Sequence, residues 1–162
     1  MATQKSGSRA QDAVALLKQD HKTMRELLSK LEEAEGRDRQ STLKTIEHEL
    51  KVHTKIEEDI FYPAFREAAE KEEDKDLYFE ALEEHHVVDL VLPEIKATEP
   101  DADEFKAKAK VLKDLVEHHA EEEETEMFPR AKKLMDRAQL MELGQQLADA
   151  KASLNGGTKA RR

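Results

Sequence analysis

Apolar side chains recur at spacings of three and four residues along most of the chain, which is the period of an amphipathic α-helix. Four long helices are predicted: over residues 12 to about 35, from after 41 toward 63, from 77 to about 96, and from 101 toward 129. A shorter amphipathic helix is predicted over residues 138–154. Long helices joined by short turns favour an all-α fold, an up-down antiparallel four-helix bundle with a short C-terminal helix.

Glycine, proline and acidic residues mark the predicted helix ends. Gly36 is a C-terminal stop for the first helix, and the acidic segment 71–76 is interpreted as the turn before the third. Pro63 removes a backbone donor, so the second helix should kink or loosen there. The chain divides into a disordered N-terminal segment, the bundle, a C-terminal helix and a basic disordered tail, at residues 1–11, 12–135, 136–154 and 155–162.

Composition narrows the classes of function. The chain has no cysteine, which excludes disulfides and thiolate metal sites. Its formal net charge of −10 argues against nucleic acid as a partner, because phosphate binding needs a basic surface. The sequence shows neither a signal peptide nor an apolar run of about 18 residues, so we expect a cytoplasmic protein without a membrane partner.

The two halves of the predicted bundle form an internal repeat. Asp20-His21 on the first predicted helix matches Glu84-His85 on the third, each within an apolar stripe. The stretch HTKIEEDIFYP, residues 53–63, aligns with HAEEEETEMFP, residues 119–129. A single His-x3-Glu motif is expected by chance in so Glu-rich a chain, but the same motif in the same extended context twice is a specific signal.

The repeated motif has the chemistry of a metal site. Residues i and i+4 of a helix project from one face, so each repeat offers an imidazole and a carboxylate to one point: His53 with Glu57, and His119 with Glu123. Two further histidines lie on apolar stripes, His21 and His85. Two carboxylates buried together are costly unless a metal ion compensates their charge. Imidazole and carboxylate suit iron, zinc, copper or manganese, and two bridging carboxylates favour a dinuclear centre, with iron as the first choice.

These segments resemble the haemerythrin-like HHE cation-binding domains over about residues 12–135, and they occur in the expected order: Asp20-His21, His53-x3-Glu57, Glu84-His85 and His119-x3-Glu123. The resemblance implies a left-twisted four-helix bundle that holds two Fe ions, with a bridging oxo or hydroxo group and with O2, peroxide or nitric oxide as small ligands. Carried over to this chain, it assigns one iron to His21 and His53 and the other to His85 and His119. Glu57 and Glu123 would bridge the two.

The third helix departs from the pattern of oxygen-carrying haemerythrins, which place two histidines one turn apart there. In this chain His85 is followed four residues later by Asp89, so the second iron could take Asp89, His86 or water instead. Such an iron would be more open or more reactive. The fourth helix adds the i, i+4 pair His118 and Glu122, interpreted as alternative ligands or as side chains that orient a ligand.

Three other residues of the repeat receive structural interpretations. Glu58 and Glu124 follow the two ligand glutamates and are interpreted as charges on the outer face of the bundle. Tyr62 is interpreted as a core residue that could donate to a bound oxygen species.

The leading functional hypothesis is a non-haem di-iron protein that binds or processes O2 or peroxide, in storage, scavenging or sensing. Reversible binding and turnover, as in peroxide disproportionation or oxidase chemistry, both fit the residues at this point. The alternative hypothesis is an iron- or redox-sensing interaction module. In that case, loss of metal would loosen the bundle and change a surface that an unknown protein partner recognises.

Overall fold

The computed structural model describes residues 10–156, which are helical apart from short connections. In chain order the helices are α1 (Ala13–Glu33), α2 (Gly36–Ile56), α3 (Tyr62–Ala68), α4 (Glu72–Lys96), α5 (Asp103–Glu122), α6 (Phe128–Leu134) and α7 (Arg137–Gly156). Two π-helical turns continue α2 into α3 and α5 into α6: π1 (Glu57–Phe61) and π2 (Glu123–Met127). The predicted all-α bundle is confirmed, with α1, α2-π1-α3, α4 and α5-π2-α6 as its four rods.

The ends of the chain bear on two predictions. The predicted disorder of the N-terminal segment and of the basic tail falls on residues that lie almost wholly outside the described range. Residues 155 and 156, assigned to that tail, continue α7. No helix of the described chain carries an apolar stretch long enough to cross a bilayer.

Two helices begin earlier than the sequence pattern predicts. α2 begins at Gly36, whose φ of 51° lies in the left-handed region that glycine adopts at little cost, so the chain turns sharply and re-enters a helix at once. α4 begins at Glu72, inside the segment interpreted as an acidic turn. Three acidic residues in its first turn stabilise the helix, because their negative charge lies at the positive end of the helix dipole. Asp74 also accepts backbone hydrogen bonds from Lys71 at 3.2 Å and Glu70 at 3.3 Å.

The irregularity expected at Pro63 takes the form of π1, and π2 stands in the same place before Pro129. A proline ring clashes with the carbonyl four residues earlier in a regular α-helix, and a wider turn relieves that clash. The Tyr62 amide accordingly donates to the Glu57 carbonyl, five residues back, and the Phe128 amide donates to that of Glu123. Each π turn begins at a predicted metal ligand.

The core consists of two apolar clusters with a polar layer between them. One cluster contains Phe61, Tyr62, Phe65 and Phe128, and the other contains Leu28, Ile46, Ile95, Phe105 and Leu112. Between the clusters lie buried polar side chains: Asp20, His21, His53, Glu57, His85, His119 and Glu123. Apolar packing on both sides therefore separates this layer from bulk water.

α7 packs across α1 and α2 at the end of the bundle that contains the first cluster. Its Leu140 and Leu147 join that cluster. Gly144 allows the close approach, because a Cβ atom there would lie 2.1 Å from the carbonyl oxygen of Gln11. This side of α7 therefore fits the start of α1 only without a side chain at position 144.

Candidate metal centre

All six residues predicted as principal ligands are buried in the polar layer between the two apolar clusters. Each rod of the bundle contributes to the set: His21 from α1, His53 and Glu57 from α2-π1, His85 from α4, and His119 and Glu123 from α5-π2. The local i, i+4 spacing places each His and Glu of the repeat together, and the bundle then brings the two halves face to face.

The candidate ligand atoms of these six residues form two groups, and within each group they lie no more than 4.8 Å apart. We name the first group position A, and it consists of His21, His53, Glu57 and Glu123. The second is position B, and it consists of Glu57, His85 and His119. Glu57 belongs to both groups.

The two carboxylates each face both positions, with a different oxygen toward each. Glu57 Oε1 lies 2.9 Å from His53 Nε2, and its Oε2 lies 3.1 Å from His85 Nε2. Glu123 Oε2 lies 3.1 Å from His21 Nε2, and its Oε1 lies 3.4 Å from His119 Nε2. This is the arrangement that a pair of bridging carboxylates requires.

Position A passes a direct test of whether a cation fits. Four of its buried atoms form no hydrogen bond of acceptable geometry among the described residues: His21 Nε2, His53 Nε2, Glu57 Oε1 and Glu123 Oε2. They face one another only as the two close pairs given above, His53 with Glu57 and His21 with Glu123. A buried polar atom without a partner costs about 1–3 kcal/mol. A single metal ion coordinated by all four atoms would remove these costs together, and imidazole nitrogen with carboxylate oxygen is a donor set that transition metals accept.

Each of the four histidines also donates a hydrogen bond from Nδ1 to a second carboxylate. We name these acceptors the outer carboxylates; the pairs are His53 with Asp20 at 3.1 Å, His21 with Glu124 at 3.1 Å, His119 with Glu84 at 3.0 Å and His85 with Glu58 at 2.8 Å. An ionised carboxylate can only accept, so Nδ1 carries the proton and Nε2 is left as the atom that could coordinate a cation.

The interpretation of Glu58 and Glu124 as mere outer-face charges is wrong. Both reach inward to a histidine of the opposite half of the repeat, although the Glu58 side chain remains 42% exposed. Their recurrence directly after each ligand glutamate was the available signal. The cross-half pairing was hidden because it depends on how the rods face each other, which local periodicity does not specify.

The Tyr62 hydroxyl lies inside the centre, at position B. It donates to Glu57 Oε2 at 3.1 Å and also contacts Glu123 Oε1, and it lies 3.2 Å from His85 Nε2 and 3.4 Å from His119 Nε2. Tyr62 is a core residue, as the sequence analysis expects, and its polar end faces the ligand set. Burial and the two carboxylates raise the pKa of its hydroxyl well above the ordinary value.

Comparison with known proteins identifies the family. The model of the Hemerythrin HHE cation binding domain matches residues 12–131. This chain belongs to that family. A solved structure of a haemerythrin HHE cation-binding domain-containing protein from Mycobacterium kansasii superposes with a TM-score of 0.81, at 27% identity, over 93% of this chain and 91% of the other.

A curated relative is described as a DNA nickase of Nostoc sp. It is 28% identical over 127 residues, which are 78% of this chain but 35% of the relative. The present haemerythrin-like chain thus spans about a third of that protein's length.

The residues named as secondary candidates lie outside the buried centre of this haemerythrin domain. His86 and Asp89 are exposed on α4. His118 and Glu122 are one turn apart on α5, with His118 Nε2 3.1 Å from Glu122 and 3.7 Å from the outer carboxylate Glu84. Glu84, His118 and Glu122 form a third, partly exposed group, and the His118 side chain is 63% exposed.

The imidazoles and carboxylates of the haemerythrin centre stabilise one another's charged forms. Burial alone would lower the pKa of His53, but Glu57 and Asp20 raise it to about 10. Burial would likewise raise the pKa of Glu57, yet His53 and the other imidazoles hold it well below its usual value. Imidazolium and carboxylate therefore compensate each other, and a metal ion would displace the imidazolium protons on binding.

A small cavity lies beside the centre, on the side of the second apolar cluster. Its volume is about 30 Å³, and its lining includes the four ligand histidines together with Met24, Leu50, Val88 and Val116. One water molecule needs roughly 10–15 Å³ by such a measure, so this space admits a molecule of two or three heavy atoms and excludes a larger one.

Proposed function

We propose that this chain is a non-haem di-iron protein that binds or processes O2 or peroxide. In this proposal position A and position B each hold one iron, and Glu57 and Glu123 bridge them. The observation that carries it is the set of four buried, unpartnered ligand atoms, which no hydrogen bond within the described chain satisfies. Membership of the haemerythrin family supports a bound cation.

The surroundings of the centre support a small ligand. Bound iron would supply the redox chemistry toward O2 or peroxide that the side chains lack. The chain's own part is to exclude water with two apolar clusters, to offer a cavity of about 30 Å³, and to present the Tyr62 hydroxyl at position B. The cavity suits a ligand of two oxygen atoms, and Tyr62, which does not line the cavity, offers a proton donor from the first apolar cluster.

Metal analysis of the purified chain tests the proposal, together with ultraviolet–visible spectra of the wild type and of two neighbouring variants. Wild type should carry about two irons per chain, and His119→Ala should lose metal and any oxo-bridge absorption, because a ligand is removed. His118→Ala is the matched control, since its side chain is largely exposed, and it should keep both. Equal loss in the two variants would contradict the ligand assignment.

Two further measurements separate binding from turnover. A reversible colour change on cycling oxygen would indicate a carrier or store. Gas release from added peroxide, at a rate that increases with the metal content of the protein, would indicate disproportionation. If iron-loaded protein shows neither response, the proposed role in O2 or peroxide chemistry is overturned, but the metal site is not.

A second candidate function is an iron- or redox-sensing module, and one contact favours it. Lys151 of α7 donates to Asp20, which in turn accepts the hydrogen bond from His53 at position A. Metal loss would therefore change the pairing of Lys151 with Asp20, and with it the docking of α7 and a surface available to a protein partner. Limited proteolysis with and without iron tests this idea, and cleavage within α7 that is independent of iron would exclude it.

DNA nicking is not extended to this chain. The alignment covers only 35% of the matching nickase, so most of that protein has no counterpart in this comparison. A formal net charge of −10 also opposes binding to phosphates.

A further inference from the structure

We propose that Arg25 and Lys151 tune the metal affinity of position A. Position B has no equivalent cations among residues 10–156, so the two positions bind metal unequally. Both residues act through an outer carboxylate and touch no ligand atom. The inference rests on the proposed function for the assignment of ligands to the two positions. It does not depend on iron being the metal.

The outer carboxylates of position A are both paired with cations. Lys151 of α7 donates to Asp20. Arg25 of α1 holds Glu124 with two hydrogen bonds, at 3.1 and 2.9 Å. Each of the two outer carboxylates of position A therefore has a lysine or an arginine as its ion-pair partner.

The outer carboxylates of position B lack such partners. Glu58 forms no ion pair with a lysine or arginine in the described chain, and the nearby Lys55 instead pairs with Asp59 at 2.7 Å. Apart from His119 at 3.0 Å, Glu84 has His118 as its basic neighbour, at 3.7 Å, and that imidazole lies closer to Glu122, at 3.1 Å. No lysine or arginine of the described chain pairs with Glu84, so this cluster places two carboxylates around His118.

The internal repeat explains the difference at the level of the sequence. His21 aligns with His85, so Arg25 aligns with Asp89, and the charge one turn after the ligand histidine is reversed. Lys151 belongs to α7, which lies outside the repeat. The candidate ligands of the two halves therefore match, whereas the cations beside the outer carboxylates do not.

The physical consequence follows from the hydrogen bond at Nδ1. A carboxylate that accepts this bond shifts electron density onto the ring and makes Nε2 a stronger ligand. A cation behind the carboxylate opposes that effect and also repels the metal directly. Removing the positive charge of Lys151 should therefore strengthen metal binding at position A, which is the opposite of what structural damage would cause.

Zn²⁺ affinity, measured by chelator competition on variants that keep one position, tests the inference. His85→Ala leaves position A, and in that background Lys151→Met should raise the affinity about tenfold, the effect of one unit charge at this range, while Lys151→Arg should leave it unchanged. His21→Ala leaves position B, and there Asp89→Arg should lower the affinity about tenfold by giving Glu58 a cation. Lys151→Met in the His21→Ala background is the control and should have a much smaller effect.

Several results would overturn the inference. These are a fall or no change in Zn²⁺ affinity at position A with Lys151→Met, or an equal change at both positions. If the single-position variants bind no Zn²⁺, a two-step Co²⁺ titration of Lys151→Met alone decides: strengthening of one step supports the inference, and two unchanged steps overturn it. A wild type that binds neither ion would overturn this inference and the metal site together. Normal Zn²⁺ results without iron or oxygen chemistry would overturn only the proposed function.

Discussion

The two halves of the bundle match in the residues that face the metal centre. They differ in the contacts that hold their outer ends, and we call these contacts the closure of each half. The first half, residues 13–68, and the second, residues 72–134, each supply two histidines and one glutamate from equivalent places, including a π turn that begins at the glutamate. The first half is closed by α7, which packs against the start of α1 around Gly144. The second is closed by an ion pair in which Arg130 of α6 holds Asp74 of α4 at 2.6 and 2.8 Å.

This difference separates two kinds of constraint on the same repeated unit. Ligand geometry permits little variation, because both halves must meet around one pair of carboxylates. The outer ends need only to be held, and packing or an ion pair can do so. The positions that align with Asp74 and Arg130 in the first half are Ala10 and Ala64, so the ion pair has no counterpart there.

The largest expected effect is a loss of metal binding on substitution of Glu57 or Glu123, which occupy equivalent places in the two halves. Because each carboxylate faces both positions, Glu57→Gln and Glu123→Gln should each weaken metal binding at both, by more than the roughly 10–100-fold typical of losing an outer hydrogen-bond partner. Metal content per chain and competition titrations measure this. Loss of one metal in one variant and of the other metal in the second would show that the carboxylates do not bridge.

The ion pair of the second half should account for a substantial part of its stability. Asp74→Asn should lower the free energy of unfolding by about 2–4 kcal/mol, because Arg130 and the start of α4 both lose a charged, buried acceptor. Urea unfolding at neutral pH measures the change. Asp76→Asn, at an exposed position in the same turn of α4, is the control and should be close to neutral.

The same pair predicts part of the acid dependence. The hydrogen bonds from Arg130 lower the pKa of Asp74 from 3.8 to about 2. A depressed carboxyl pKa stabilises the folded state fully above the unfolded pKa, and this stability is lost as pH falls from about 4 to 2. Asp74→Asn should therefore show a smaller loss of stability across this interval than wild type. Parallel curves for the two proteins would contradict the assignment.

The closure of the first half should be broken by a single methyl group. Replacing glycine by alanine inside a helix usually stabilises it by about 0.5–1 kcal/mol. At Gly144 the added Cβ would lie 2.1 Å from the Gln11 carbonyl oxygen, so Gly144→Ala should instead destabilise the protein by about 1–3 kcal/mol and expose α7 to protease. Gly156→Ala is the matched control, because a Cβ there meets no atom of the described residues within 4 Å. Equal stability of the two variants would mean that α7 is not held at this contact.

The features that could be predicted from the sequence are those with a local cause. The period of the apolar stripes predicted the rods, and the i, i+4 spacing placed His53 beside Glu57 without knowledge of the fold. The family resemblance then paired histidines from different helices. The structure brings all six predicted ligands together.

Most of the features that were missed depend on how the rods are rotated and spaced. The bond from His21 to Glu124 crosses the bundle, and neither residue's helix alone indicates it. Lys151 reaches Asp20 only because Gly144 lets α7 approach α1 so closely. The early start of α4 had a local cause, the backbone bonds to Asp74, but the pattern of apolar residues does not report it.

The smallest expected effect concerns His86, which the sequence offered as a replacement ligand for the second iron. It lies next to His85 but on the exposed side of α4, and the aligned residue of the first half, Lys22, is also exposed. His86→Ala should leave metal content and affinity unchanged and should alter the free energy of unfolding by less than about 0.5 kcal/mol. His85→Ala is the adjacent comparison and should weaken metal binding at position B. Metal loss in His86→Ala would show that the second half recruits a ligand for which the first half has no counterpart, and the two halves would then differ at the centre as well as at their ends.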